Sequence, residues 1–427
     1  MSLEPVSFFL DVAAHHRRCF WLDGGGAREW SGRRSIIGWL ADHNESLSWS
    51  ASRSEVRLHA GGTSSVVGDD IFAVLASRMR AGEQWFGYLG YASRTDLPAA
   101  ADPLLPDAVW MRPTAVRVFE HPDPALQRSP AGRGSLNMSA RARPDKFSAS
   151  LTSPTPSAYA DAFARVQEHL HAGNSYEVNL THRLTITDDL DPVTAYLRLR
   201  ELNPAPYSGF LQHDVDGARA WLLSSSPERY ALVTGDRHLE TKPIKGTTPR
   251  GATPEEDEAL RSRLGTDPKT RAENLMIVDL LRNDLSMVCE VGSVEVPALM
   301  QVESYASVHQ LVSTVRGRLR DDVTTVGALR ALFPAGSMTG APKLRTMEII
   351  DEVESTPRGA YAGAFGWISG DGPADLGVVI RSLTTDGSGT WRLGTGGGIT
   401  VRSDVDEEWA ESEWKAERLL RVFDPPL

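Results

Sequence analysis

Between residues 176 and 399 strand-like runs succeed one another without the strand–helix alternation that a parallel sheet requires. Tyr176–Leu184, Ala220–Ser224, Arg229–Val233, the stretches around Val294 and Val312, Tyr361–Ile368, Leu376–Leu383 and Thr390–Gly394 read as strands. Helical spacing is confined to Tyr159–His171, Thr270–Leu285, a segment beginning near Val326, and Asp404–Val422. Leu275, Val278, Leu281 and Leu285 are expected to share the buried face of the second of these helices. With so few crossover helices, neighbouring strands must pair antiparallel. The expected fold is therefore α+β, dominated by large antiparallel β-sheets.

Composition shifts divide the chain. Residues 1–120 form an N-terminal region whose Trp85-Phe86-Gly87-Tyr88-Leu89-Gly90-Tyr91 cluster reads as a packed strand or turn, with glycine making room for rings. Residues 121–157 are rich in Pro, Ser and Arg and read as a linker. Residues 158–427 form the main body, and no repeat of 20–50 residues runs through any part.

Of the 427 residues, 41% are hydrophobic and 24% charged, which suits a globular protein. The net charge of −11 argues against a nucleic-acid partner, because phosphate binding needs a basic surface. An anionic substrate would need a local basic pocket or a bound cation. Cys19 and Cys289 are too few and too far apart for a disulfide framework or a zinc site. Glu4 and Asp11 interrupt the N-terminal apolar run, so no secretory signal is expected, and no apolar stretch approaches the ~18 residues of a membrane span. The expected location is the cytoplasm.

The chemistry centres on Lys245, in Pro243-Ile244-Lys245-Gly246-Thr247-Thr248-Pro249-Arg250-Gly251. Proline and glycine fix the backbone on both sides of it. A lysine held in place and partly desolvated loses proton affinity and can act as a nucleophile. The G-x-x-x-x-G-K-[ST] order of a phosphate loop is absent. On the last helix Glu408, Glu411 and Lys415 share a face, either as a solvated ion-pair cluster or as holders of a divalent cation. Glu273, in the first turn of the Thr270 helix, is a second cation candidate, since magnesium takes one or two protein carboxylates and leaves positions for substrate oxygens.

Gly394-Thr395-Gly396-Gly397-Gly398-Ile399 is not followed by the further strand that a dinucleotide fold needs. Together with the Ser337/Thr339 loop before Lys343, these glycines read as turns able to cradle an anion, with Arg381 as a bidentate partner. Glu228, after the rigid Pro227 in Ser224-Ser225-Ser226-Pro227-Glu228-Arg229, reads either as a surface acid paired with Arg229 or as a positioned general acid.

In this order the motifs resemble the chorismate-utilising enzymes, which include anthranilate, aminodeoxychorismate, isochorismate and salicylate synthases. The resemblance spans nearly the whole chain. It rests on SSSPERY, PIKGTTPRG, RAENLMIVDLLRNDL, VESYASVHQLVSTVRG, PAGSMTGAPK, YAGAFGW and GTGGGI followed by the acidic helix. It implies two antiparallel sheets packed as a sandwich with helices outside, and chorismate as substrate. At Lys245 the chain looks like the aminodeoxychorismate-forming branch, P-I-K-G-T, rather than the anthranilate-forming branch, P-I-A-G-T. The water-activating lysine of the isochorismate- and salicylate-forming branches is absent near Glu177.

The resemblance further implies Mg²⁺ on Glu273 and Glu411 with Glu408 nearby. It implies substrate contacts from Thr247, Ser337, Thr339, Tyr361, Arg381, Gly396, Gly397, Gly398 and Lys415. Lys245 would be the nucleophile and Glu228 the acid, with His309 beside the leaving hydroxyl. A separate glutamine amidotransferase subunit (component II) would supply ammonia, as neither cysteine sits in a nucleophile elbow. Pro206, Tyr207 and Ser208 resemble the strip lining a tryptophan pocket in several relatives. Ser286-Met287 departs from the usual R-N-D-L-G-R continuation, so no role is carried onto those two positions. The alternatives are an anthranilate- or aminodeoxyisochorismate-forming enzyme and, of a different class, a non-catalytic regulatory subunit.

Overall fold

The computed structural model describes residues 4–24, 33–121, 154–305 and 308–424. Most of the expected linker lies outside these residues. Among them every strand pairing is antiparallel. The strands form one nine-stranded and one twelve-stranded sheet.

The N-terminal region is woven into both sheets. Arg18–Asp23 pairs with Tyr207–His213 in the smaller sheet, and Gln84–Leu89 pairs with Ala364–Ser369 in the larger. The aromatic–glycine cluster is indeed a buried strand. A Cβ at Gly87 would meet the Val109 carbonyl oxygen at 2.0 Å, so only glycine lets these strands close up.

The sheets face each other across an apolar layer that includes Phe20, Leu211 and Leu222 from one and Phe86, Tyr88 and Phe365 from the other. Phe20 and Phe86 stack with ring centroids 4.1 Å apart. Helices cover the outer faces. Pro5–His15, Pro192–Leu202 and Val405–Leu420 pack on the smaller sheet, through residues such as Phe9, Tyr196 and Leu419. Ile71–Arg78, Pro268–Ser286 and Thr325–Leu332 pack on the larger, through Leu75, Leu281 and Leu329. This is the α+β sandwich expected from the sequence.

Two of these helices bear on the site. Pro268–Ser286 is started by Asp267, whose side chain accepts from the Thr270 amide at 2.8 Å, with Pro268 at a position that needs no donor. It begins earlier than expected, which puts Glu273 in the second turn. Val278, Leu281 and Leu285 are buried, whereas Leu275 lies beyond the buried arc and is 52% exposed. Val405–Leu420 is capped by Asp404, which accepts from the amides of Asp406 and Glu407. No helix among the described residues is long and apolar enough to cross a membrane.

Candidate active site

Two of the chain's passages between the sheets lie side by side. Ala220–Ser226 belongs to the smaller sheet and Arg229–Val233 to the larger, so Pro227 and Glu228 form the crossing. Proline cannot donate to a ladder, which suits a strand's end. Ala374–Val378 returns to Ser382–Thr385 through Arg381, a non-glycine residue with φ +51. The crossings are hydrogen-bonded side by side: the Val378 amide donates to the Glu228 carbonyl at 3.0 Å and the Ser225 amide to the Arg381 carbonyl at 3.2 Å. A general-acid candidate and a guanidinium are thereby fixed next to each other.

Beside the crossings lies a cavity of about 530 Å³, closed by the Pro268–Ser286 and Val405–Leu420 helices. Lys245, Glu228, Thr247, Glu273, Ser337, Tyr361, Arg381, Gly396, Gly397, Gly398, Glu411 and Lys415 all line it. Residues more than 180 positions apart in sequence thus meet in one space.

Glu228 is buried, and its Oε1 accepts from the Ser337 hydroxyl at 2.6 Å. Burial pushes its pKa up to about 7, against smaller lowering effects of Ser337 and Lys245. It is therefore substantially protonated at neutral pH, as a general acid must be.

Lys245 behaves differently from the sequence expectation. Burial does pull its pKa down, but Glu177, then Glu273 and Glu228, outweigh burial and hold it up at about 12. Its Nζ donates a short hydrogen bond to Glu177 Oε1. In this state the side chain is an ammonium.

Arg381 has no carboxylate within ion-pair distance among the described residues, and its guanidinium lies 5.9 Å from the centre of the Trp414 ring. An arginine in a cavity wall with no carboxylate in contact with it is suited to an incoming carboxylate.

Glu273 is raised to about 7, chiefly by burial and further by Glu177 and Glu408, with Lys245 and Lys269 opposing. Glu411 is held below its ordinary range by Lys415, whose Nζ lies 2.7 Å from Glu411 Oε1 and also donates to the Gly396 carbonyl at 2.9 Å. Glu408 is not in the cavity wall; its Oε1 accepts from Ser403 at 2.7 Å and from Lys269 at 3.2 Å. No group of three Asp, Glu, His or Cys side chains among the described residues is gathered as a metal cage. Two cavity-facing carboxylates beside a third nevertheless match what Mg²⁺ asks of a protein when substrate and water oxygens complete its shell. The smaller repulsion that Glu177 and Glu408 add to the burial of Glu273 is the kind a divalent cation relieves.

Two expected contacts are not in the cavity wall. His309 is buried, with Nε2 2.9 Å from Asp257 Oδ1 and Nδ1 2.8 Å from Ser304 Oγ, so both ring nitrogens are committed away from the site. Its neighbour Gln310 faces the cavity instead, as strand alternation dictates. Thr339 is also buried, its hydroxyl turned back to the Gly336 carbonyl at 3.2 Å.

The glycine run is not a turn. Thr390–Ile399 is one continuous strand paired with Glu177–Thr187. Glycines are needed there because side chains press on it. A Cβ would lie 2.2 Å from the Tyr361 ring at Gly394, 3.0 Å from Glu408 Oε2 at Gly397, and 2.2 Å from Glu177 Oε1 at Gly398.

Several wall residues escaped the sequence reading. Asn179 lines the cavity, donates to the Ser337 carbonyl at 2.8 Å, and has no partner for its buried Oδ1 among the described residues. Behind it Arg358 donates to the carbonyls of Met338 and Asn179 at 2.6 and 2.7 Å and pairs with the buried Glu354. Trp414 was legible as the i+3 neighbour of Glu411 on one helix face. Nothing local in the sequence marks Glu354 or Arg358, whose partners lie far away along the chain.

Pro206, Tyr207 and Ser208 line a separate cavity of about 640 Å³, where the Tyr207 hydroxyl donates to Asp375 Oδ1 at 2.8 Å.

The family profile described as chorismate binding enzyme matches residues 18–421. The chain belongs to the chorismate binding enzyme family. Over 252 residues, 59% of this chain and 34% of the other, it is 52% identical to an aminodeoxychorismate synthase of Streptomyces pristinaespiralis. Over 266 residues, 62% of this chain and 57% of the other, it is 44% identical to aminodeoxychorismate synthase component 1 of Escherichia coli (strain K12). The matched part thus spans between about a third and three-fifths of these curated relatives. Among solved structures, anthranilate synthase component I from Streptococcus pneumoniae TIGR4 superposes with a TM-score of 0.72 at 26% identity, covering 92% of this chain and 93% of that one. The family membership and the sandwich expected from the sequence are both upheld.

Proposed function

We propose that this family member aminates chorismate to 4-amino-4-deoxychorismate. The observation that supports the reading most is Lys245 in one cavity with Glu228, whose pKa is raised to about 7, and with a guanidinium that has no carboxylate within ion-pair distance among the described residues. The two relatives described above that are named for aminodeoxychorismate synthesis point the same way.

Arg381 and the hydroxyls of Tyr361 and Thr247 would take the carboxylates of the substrate. Mg²⁺ held by Glu273 and Glu411, with Glu408 beside them, would supply Lewis-acid polarisation at the ring carboxylate. Lys245, as free amine, attacks ring C2 while the C4–O bond breaks and the double bond shifts. Glu228 gives its proton to the departing hydroxyl, so water leaves. Ammonia then bonds to C4, the C2–N bond breaks, the lysine leaves as an amine, and the new C4 ammonium returns a proton to Glu228. Dividing the substitution into two steps lowers each barrier. Ammonia would come from a separate glutamine amidotransferase subunit in the cytoplasm.

The similarity to an anthranilate synthase structure favours a second reading, in which the product is anthranilate. Mass spectrometry of products formed from chorismate, Mg²⁺ and ammonium decides between them. A chorismate-derived amine that becomes 4-aminobenzoate only when an aminodeoxychorismate lyase is added is the expected outcome; anthranilate would sink the proposal.

A further inference from the structure

The lysine in this cavity is an ammonium, and an ammonium has no lone pair with which to attack carbon. Something must remove a proton before the lysine chemistry can begin. Glu177 Oε1 is the hydrogen-bond acceptor of Nζ, and Nζ has no second hydrogen-bond partner among the described residues. Glu177 is buried, its Oε2 has no hydrogen-bond partner among the described residues, and Ser175 and Ala341 pin its backbone. The contact joins the two sheets, since Glu177 opens a strand of the smaller and Lys245 lies on an edge strand of the larger. Gly398 leaves the space: a Cβ there would lie 2.2 Å from Glu177 Oε1 and 3.0 Å from Lys245 Nζ.

Around the pair stand Glu228 from the sheet crossing, Glu273 and Lys269 from one helix, and Glu411 and Lys415 from another. Glu228 is committed as proton donor to the leaving group. Glu273 and Glu411 face the cation.

We propose that Glu177 is the proton acceptor that converts Lys245 from ammonium to nucleophile, acting through Lys245 without touching the substrate. The inference rests on the lysine reading above. One proton moves from Nζ to Oε1, leaving a neutral amine and a neutral carboxyl. The amine forms the C2–N bond, and when ammonia later displaces it the released amine takes the proton back from Glu177. No oxidant or further reactant enters.

The test compares wild type, Glu177→Gln, Glu177→Asp and Lys245→Ala in chorismate amination at fixed free ammonia. At neutral pH Glu177→Gln should lose about 10²–10⁴-fold in kcat with KM little changed, the usual range for a general base. Its rate should then climb about tenfold per pH unit towards alkaline pH, as hydroxide replaces the carboxylate, a slope that wild type lacks. Glu177→Asp should recover part of the loss at neutral pH. A loss below tenfold, a loss uniform at all pH, or Asp and Gln variants equally impaired would overturn the proposal.

Lysine labelling by an acylating reagent, read by peptide mass spectrometry, gives a measure independent of turnover. The chain has only six lysines, so Lys245 is readily assigned. Its labelling midpoint should fall by at least one pH unit in Glu177→Gln, and an unchanged midpoint would overturn the pairing. If Lys245→Ala aminates as well as wild type, the lysine reading itself fails. If Lys245→Ala is inactive while Glu177→Gln is not, only the role of Glu177 fails.

Discussion

Glu228 enters the cavity on a two-residue crossing, surrounded by protein and offered one hydroxyl donor, so its charged form is poorly solvated. A carboxyl whose folded pKa stands above its unfolded value destabilises the fold once ionised. The penalty is absent below the unfolded value of 4.5 and complete above about 7. Replacing Glu228 by Gln keeps an acceptor for Ser337 and removes the charge. The variant should lose about 10²–10⁴-fold in kcat yet unfold at higher denaturant than wild type at pH 8. The gain should be on the order of 3 kcal/mol and should vanish below pH 4.5. Equal stabilities at pH 8 would show that the acid is not desolvated.

At the scale of elements, the Thr390–Ile399 strand is shaped by what it lacks. Gly398→Ala adds one carbon where Glu177 and Lys245 meet, and Gly398 has no left-handed φ, so the effect is steric and local. The variant should stay folded, with a loss of about 1–3 kcal/mol, while amination falls at least tenfold. Activity within a factor of two would show that the pair can shift without consequence.

This strand also marks a limit of sequence reasoning. Consecutive glycines read as a turn because their usual reason is backbone freedom, whereas here the reason is side chains from distant segments. Arg229–Val233 was legible to the residue, because a β-branched and aromatic run bounded by Pro227 and Gly235 has one simple reading. Leu376–Leu383 read as one strand and is two, divided where Arg381 turns towards the cavity. The helices Pro192–Leu202 and Pro254–Thr266 were overlooked although Asp191 and Thr253 cap them ahead of a proline. Lys245 and Glu228 were singled out from their local frames, and both line the cavity. His309 was misplaced because alternation on a strand depends on a register fixed by its neighbours.

At the scale of the molecule, the sandwich core rather than the cavity sets stability. Phe20 is fully buried from the smaller sheet against Phe86 of the larger. Truncation to Ala should cost about 3–5 kcal/mol, read as a lower urea midpoint at unchanged slope. The variant should still aminate chorismate at a temperature where it stays folded, since the apolar layer does not line the cavity. Loss of turnover in the folded variant would mean that the sheets' relative position, and with it the crossings, had shifted.

The interleaving of early and late strands has a consequence for synthesis. Arg18–Asp23, with Phe20 and Trp21, pairs on one edge with the nearby Arg34–Trp39, but the partner for its other edge is Tyr207–His213. At typical elongation rates of about 5–20 residues per second, that partner leaves the ribosome roughly 10–40 s after the first strand. Through that interval an aromatic strand keeps one edge open. Translation speed between the codons of those two strands thus becomes a determinant of yield.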